Sequence, residues 1–297
     1  LEPARQAIVD RNLDAWIRID EVRYPGFEDR PRAESWDAFV DALTAEAARA
    51  LTPAGPGAAR IYASGIGGLL VLVLRSRGWL RTTPTVLQAP VLWGLRTRKF
   101  PVVMRAVPPA RWALSAAFGL SWFQRRFVRK MFRREPEPAL RRAFFRGYQT
   151  CSAFADFFRW LTPALLVELE RAFAADPSAL DGIWVWWGER DRVVGLDELH
   201  VTEEALGRTF PLSTFSDWGH YPMIDDPRAW VEALARPLAV ETRPRIVPDE
   251  GSESPAATVG ASADERLGDA GRAGASGAAA PLNSEGSGEP APIEVAR

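Results

Sequence analysis

Short apolar segments alternate with amphipathic ones along this chain, and that alternation is the feature that most constrains its fold. Five segments have the length and apolar character of strands: residues 16–22, 58–64, 85–93, 183–187 and 208–215. Four segments have the helical spacing of apolar residues: residues 35–51, 67–76, 197–206 and 227–235. Because residues 183–187 are apolar without interruption, we expect that strand to be covered on both faces. The alternation predicts the α/β class, with a mainly parallel sheet flanked by helices.

Composition divides the chain into three parts. Residues 1–94 and 182–240 hold the predicted strands and form the expected core. Residues 95–181 are largely helical in pattern, which predicts a helical insertion, or cap, between two strands of the sheet. Residues 241–297 are rich in Ala, Gly, Ser, Pro and Glu and contain no aromatic residue. Such a segment buries too little apolar surface to offset its chain entropy, so we expect a disordered C-terminal tail.

The residue counts exclude several kinds of site. The 297-residue chain has one Cys and two His, which excludes a disulfide framework, a cysteine-built zinc site and a His-rich metal centre. A dinucleotide-binding pattern also fails, because Leu70 stands where the third glycine after Gly65 and Gly67 is required. No P-loop motif is present. We therefore expect neither a cofactor nor a metal.

The net charge of −1 conceals a strongly basic insertion. Residues 95–160 contain 15 basic and three acidic residues, a net charge of +12, so the rest of the chain carries −13. Apolar residues recur there at helical spacing: Trp112, Leu120, Phe123, Phe127 and Met131. Basic residues lie among them: Arg125, Arg126, Arg129, Lys130, Arg133 and Arg134.

Three interpretations of this basic segment stay open. The plainest is a cap helix with its apolar face on the core and a solvated basic face. The others are contact with an anionic membrane surface and attraction of anionic substrates. Nucleic acid is not expected, because no nucleic-acid-binding motif accompanies the charge. The start of the chain is not a signal peptide and the longest apolar run, residues 62–74, is too short to cross a bilayer, so we expect a cytoplasmic protein, at most peripheral to a membrane.

Two groups of residues have the types and spacing that chemistry requires. The first is Ala63-Ser64-Gly65-Ile66-Gly67-Gly68, at a predicted strand-to-helix turn. The second comprises Asp191, which follows the apolar strand, and His220 in Gly219-His220-Tyr221-Pro222 after the last strand. With this order of turn, acid and histidine, and with a helical insertion after the strand that ends at Trp93, the chain resembles the capped α/β-hydrolases over about residues 10–240.

The resemblance implies both a reaction and the residues that perform it. It implies cleavage of an ester or a related bond in a small apolar substrate, with His220 as the base and Asp191 holding its tautomer. Asp191 directly follows a strand, at the sheet edge where parallel sheets place their sites. The apolar residues of the cap would suit an apolar pocket. The plainer interpretations are a loop histidine and a turn aspartate.

The nucleophile position departs from the family pattern, which is a small residue, any residue, the nucleophile, any residue and Gly-Gly. Aligned on Gly67-Gly68, the nucleophile position is Gly65, which has no side chain to attack with. The other register makes Ser64 the nucleophile, but it puts branched Ile66 where helix and strand must approach closely. We therefore favour Gly65, since glycine adopts the strained turn freely. In this register the resemblance assigns one oxyanion amide to Ile66.

A second departure concerns the other half of the oxyanion hole. The family takes one amide from a His-Gly loop after an earlier strand, but no His precedes His200, which lies in a predicted surface helix. Either the first strands lie outside this sequence or the protein never had them. Missing strands would leave a sheet edge that needs cover.

Two functions stay open at this point. In the first, the chain is a degenerate hydrolase: Asp191 and His220 remain, Gly65 cannot attack, and the pocket binds a ligand or partner. In the second, it is an active hydrolase in which either Ser64 attacks or His220 activates water. The residues favour the first function, and the usual activity of the family favours the second.

Overall fold

A computed structural model describes residues 1–14, 17–27, 30–52, 59–96, 99–150, 153–236 and 238 of the chain. The tail predicted for residues 241–297 lies outside the described residues. The described part contains a parallel sheet flanked by helices, which confirms the predicted α/β class.

The sheet has four parallel strands in the order β1-β2-β3-β4. They are β1 Ile61–Ser64, β2 Thr85–Gln88, β3 Ile183–Gly188 and β4 Leu212–Phe215. Each strand pairs with the next one along the chain, so all four carboxyl ends meet at one edge. Parallel sheets place their functional residues at that edge.

Helices precede, connect and follow the strands. Before β2 they are α1 Glu2–Asp10, α2 Trp36–Leu51 and α3 Ile66–Ser76. Between β2 and β3 they are α4 Lys99–Ala106, α5 Pro108–Ala117, α6 Ser121–Met131, α7 Pro138–Thr150, α8 Ala153–Trp160 and α9 Pro163–Ala175. After β3 they are α10 Asp197–Leu206, α11 Pro222–Asp225 and α12 Pro227–Ala235.

Two helices have the predicted bounds because their ends carry strong local signals. Helix α10 ends at Gly207, which takes the left-handed conformation that closes a helix. Helix α12 begins after Asp226, whose carboxylate accepts a hydrogen bond from the amide of Ala229, and has Pro227 in its first turn.

Three predicted strands were wrong in part, and the reasons are local. Residues 17–22 alternate like a strand but have no regular structure, since a strand needs a paired neighbour and they have none among the described residues. Strand β2 stops at Gln88, because Ala89 has a φ of +39° and Pro90 has no amide proton. Strand β4 likewise begins only after Pro211.

Alternate residues of the strands contribute to two separate apolar clusters, one on each face of the sheet. Leu87 and Val185 pack with the apolar residues of α3, which is almost wholly buried. Val86 and Trp186 pack with residues of α1 and α12. Burial on both faces explains why Ile183–Trp187 of β3 is an unbroken apolar run.

Helices α4–α8 form a third apolar cluster, rich in aromatic rings, in the segment between β2 and β3. Phe118, Phe127 and Phe145 lie within 6.2 Å of one another, centroid to centroid. An ion pair joins this segment to the rest: the exposed Arg32 donates two hydrogen bonds of 2.5 Å to the buried carboxylate of Asp156 on α8.

Strand β1 is an edge strand within the described part of the chain, because it pairs with β2 alone. A cavity of about 1120 Å³ runs along its other side. Residues 17–24 line one wall of this cavity and residues 59–64 line the other. Within the described part of the chain, this edge of β1 thus borders a large cavity.

None of the described helices is long and apolar enough to span a bilayer.

Arg75, at the end of α3, is buried completely and ties two connections to the sheet. Its guanidinium donates hydrogen bonds to the carbonyls of Thr83, Ala179 and Asp181 and to the hydroxyl of Thr85. Burial lowers its pKa to about 10. This one side chain thus links the connection before β2 and the connection before β3 to the start of β2.

We expect Arg75→Leu to lower the free energy of unfolding by about 3 kcal/mol or more, because it removes the donor to the buried carbonyl of Ala179, to the carbonyl of Asp181 and to the buried hydroxyl of Thr85. Urea denaturation measures this change. The matched control is Arg77→Leu, which breaks only the exposed ion pair with Asp37 and should cost about 0.5 kcal/mol or less. Equal losses in the two variants would contradict the structural role of Arg75.

Candidate active site

The turn between β1 and α3 has the backbone conformation of a tight strand-to-helix elbow. Gly65 has φ +56° and ψ −123°, a region that residues with side chains rarely adopt. Its amide donates to the carbonyl of Gln88 at 3.1 Å, and its carbonyl accepts from the amide of Val91 at 3.0 Å. The last residue of β2 and the loop after it thus hold the turn through two backbone hydrogen bonds.

The two glycines after the turn allow α3 to pack closely on its neighbours. A Cβ on Gly68 would lie 2.7 Å from the Cβ of Pro90, closer than real contacts allow. A Cβ on Gly67 would lie 3.2 Å from the hydroxyl oxygen of Tyr24 and 3.8 Å from the Cβ of Ala63. These short distances agree with the register in which Gly65 occupies the nucleophile position.

A Cβ placed on Gly65 would point at His220, 3.6 Å from Nε2 and 3.9 Å from Cε1. This is an ordinary van der Waals distance, so the space beside the imidazole would accept a small side chain. Glycine supplies none. The structure therefore brings Gly65 and His220 together, with room between them.

Asp191 and His220 form a buried pair at the carboxyl edge of the sheet. His220 Nδ1 lies 2.8 Å from Asp191 Oδ2, and His220 is only 4% exposed. The other carboxylate oxygen of Asp191 accepts hydrogen bonds from the amides of Val193 at 2.7 Å and Val194 at 3.0 Å. With Nδ1 donating its proton to Asp191, Nε2 is the imidazole atom that faces Gly65.

Close backbone contact brings the loops after β3 and β4 together. A Cβ on Gly188 would lie 2.3 Å from the carbonyl oxygen of Trp218, so only glycine fits at the end of β3. The amide of Arg190 donates to the same carbonyl at 3.1 Å. This contact sets Asp191 beside His220 across 29 residues of chain.

A pair of tyrosines lies next to the imidazole. The ring of Tyr221 meets that of His220 edge-on at 4.8 Å, and its hydroxyl lies 3.0 Å from the hydroxyl of Tyr148 on α7. Burial raises the pKa of Tyr221 well above its usual range, and the nearby Tyr148 adds to the effect. Sequence reasoning missed Tyr148, because nothing in its neighbourhood marks it as a partner of a residue 73 positions away.

Ser64 and Ile66 flank the turn in different ways. The hydroxyl of Ser64 is buried and has no hydrogen-bond partner among the described residues, and the residue is part of the lining of the cavity beside β1. The structure thus shows no Ser64–His220 hydrogen bond. Ile66 supplies the first amide of α3, which a helix leaves without an acceptor of its own. Asp197–Leu206 carries His200 on the surface, more than half exposed and away from this site.

The sequence model of the alpha/beta hydrolase family matches residues 10–234. The chain belongs to the α/β-hydrolase family. No curated protein matches it.

Several solved structures share the fold. A putative lipase from Acinetobacter baumannii is 12% identical, with 71% of each chain covered and a TM-score of 0.50. A putative aryl esterase from Burkholderia cenocepacia is 14% identical, with 71% of this chain and 75% of that one covered and a TM-score of 0.50. A meta-cleavage product hydrolase is 18% identical, with 78% and 83% covered and a TM-score of 0.50.

The chain spans 71% to 83% of the length of these three solved structures. At such identities the likeness is one of fold.

The Asp191–His220 hydrogen bond predicts a protected imidazole proton. We expect a low-field Nδ1 proton signal for His220 in ¹H–¹⁵N spectra, because a buried carboxylate slows its exchange with water. The signal should disappear in Asp191→Ala and persist in His200→Gln. Because the chain has only two histidines, the assignment is direct. A signal that survives Asp191→Ala would contradict this pairing.

Proposed function

We propose that this hydrolase-fold protein binds a small apolar ester-like molecule at the Asp191–His220 pair without forming a covalent enzyme intermediate. The observation that carries the proposal is Gly65, in the elbow conformation and facing His220 Nε2 across 3.6 Å from its would-be Cβ. A serine-type nucleophile would have its side chain in that space. Gly65 has the backbone conformation of the elbow, but it supplies no attacking atom.

An apolar ligand suits the residues that cover the imidazole. The ring of Tyr221 contacts those of Phe132 and Phe144, at centroid distances of 5.5 Å and 5.4 Å. The hydroxyls of Tyr148 and Tyr221 are the polar groups in this aromatic cover, and they would orient a carbonyl or ester oxygen. Family membership supports the same ligand class.

A second candidate function is hydrolysis by activated water, and the intact Asp191–His220 pair favours it. A water in the space left by Gly65 would give a proton to His220 Nε2 while its oxygen attacks the ester carbonyl. The amide of Ile66 would stabilise the oxyanion, and the imidazolium would return the proton to the departing alkoxide. The products are a carboxylic acid and an alcohol.

Attack by Ser64 is the less favoured variant of this function. Its hydroxyl is buried and makes no hydrogen bond to the base within the described residues. An attacking serine needs that base within hydrogen-bond reach.

A fluorophosphonate probe tests the missing nucleophile. We expect no labelling of the wild type or of Ser64→Ala, and labelling of Gly65→Ser, whose hydroxyl would lie beside His220 Nε2. Gly65→Ala is the matched control, because it has the same backbone strain and no hydroxyl. Labelling of the wild type that disappears in Ser64→Ala would overturn the proposal.

Gly65→Ser and Gly65→Ala should lower the free energy of unfolding by the same amount. A side chain at φ +56° is strained, so we expect each to lower the free energy of unfolding by about 1–3 kcal/mol in urea denaturation. Equal losses would allow their labelling to be compared directly. An unchanged stability in either variant would contradict the strained turn.

Turnover of p-nitrophenyl butyrate separates binding from water activation. Under the primary proposal the wild type binds the ester, measured by competition or calorimetry, and does not release nitrophenol above background. Release that falls about 100-fold or more in His220→Ala and Asp191→Ala, without fluorophosphonate labelling, would establish water activation instead.

A further inference from the structure

Helix α6 presents a strongly cationic face to solvent. Trp122, Arg125, Arg126, Arg129 and Lys130 are all exposed. Their spacing of i, i+3, i+4, i+7 and i+8 places them on one side of the helix. The charges therefore form a single stripe, with an indole at its start.

No described residue neutralises the stripe. Helix α6 contains no acidic residue, and none of its four basic side chains forms an ion pair with any described residue. Nearby arginines differ: Arg133 pairs with Asp217 and Arg141 pairs with Glu135. In a protein of net charge −1, an unpaired basic stripe indicates an anionic partner.

The opposite face of α6 fixes its orientation. Phe123, Phe127, Val128 and Met131 pack in the aromatic cluster of helices α4–α8. The rings of Phe123 and Phe127 both meet that of Phe118, at 5.3 Å and 5.4 Å. The helix cannot roll its basic side inward without losing these contacts.

Exposed apolar side chains cluster in the same part of the chain. Trp122 is 58% exposed and Leu120 is 48% exposed, both at the start of α6. Val102, Val103 and Val107 are exposed on and after α4. Trp favours the boundary between acyl chains and headgroups, where its ring is buried and its N–H is hydrated.

We propose that α6 binds an anionic phospholipid surface, with its four basic side chains at the headgroups and Trp122 and Leu120 entering the interface. The exposed Trp122 and Leu120 at the start of the same helix favour a bilayer over nucleic acid, since leucine gains nothing from a phosphate backbone. This proposal does not rest on whether the Asp191–His220 site binds or hydrolyses its ligand.

The basic stripe of α6 is connected to the candidate active site through Arg133, which follows the helix. The amide of Arg133 donates to both carboxylate oxygens of Asp225, each at 3.0 Å, and its guanidinium reaches the carbonyl of Asp217. These acceptors flank His220 in sequence. An apolar ligand dissolved in the bilayer would thus be close to the aromatic cover of the site.

Vesicle flotation with the full chain tests the proposal. We expect the wild type to float with vesicles of phosphatidylcholine and phosphatidylglycerol at about 0.05 M salt, and not with phosphatidylcholine alone. Arg125→Glu/Arg129→Glu should lower binding about tenfold or more. The matched control, Arg171→Glu/Arg228→Glu, makes the same charge change on exposed residues of α9 and α12 and should bind like the wild type.

A second pair of variants tests insertion rather than attraction. Trp122→Ala should weaken vesicle binding by about threefold to tenfold and leave its salt dependence unchanged. Trp79→Ala, which removes an indole that is 50% exposed elsewhere, should have no effect. The proposal is overturned if the wild type fails to float with anionic vesicles, if both double variants lose binding equally, or if the wild type binds duplex DNA and not vesicles.

Discussion

The close approach of α3 to the sheet is the constraint on which the rest of the site depends. Gly65 reverses the chain at positive φ, and Gly68 lets the helix pass within contact of Pro90. This approach sets Gly65, the residue before α3, next to His220. A larger residue at position 68 would displace the helix and open the space. The elbow is therefore a structural element in its own right, held by glycine backbone conformation and close packing.

Hydrogen bonds to both carboxylate oxygens stabilise Asp191 in its buried position beside His220. An enclosed carboxylate is costly unless its oxygens are hydrogen-bonded. Here one oxygen accepts from the amides of Val193 and Val194, and the other faces His220 Nδ1. The pair thus contributes to the fold at the sheet edge as well as to any chemistry. Its retention is compatible with ligand binding, and it leaves Nε2 oriented for proton transfer.

Local signals predicted the parts of the fold that depend on local interactions. The bounds of α10 and α12 follow from Gly207, Asp226 and Pro227, whose effects act within one turn. Residues 17–22 have an equally clear alternation, but a strand also needs a partner, and sequence pattern carries no information about whether one is present. The Tyr148–Tyr221 contact was beyond prediction for the same reason, because it joins two elements that only packing brings together.

The sequence by itself determined the α/β class, the order of turn, acid and histidine, and the basic stripe of α6, because apolar periodicity and residue type act along the chain. Only the tertiary structure decided that Gly65, and not Ser64, faces the imidazole. That outcome depends on the direction in which one Cα–Cβ vector points at a turn, and a shift of one residue reverses it. It also decided that no described carboxylate pairs with the α6 cations, since pairing depends on which carboxylates folding brings within reach.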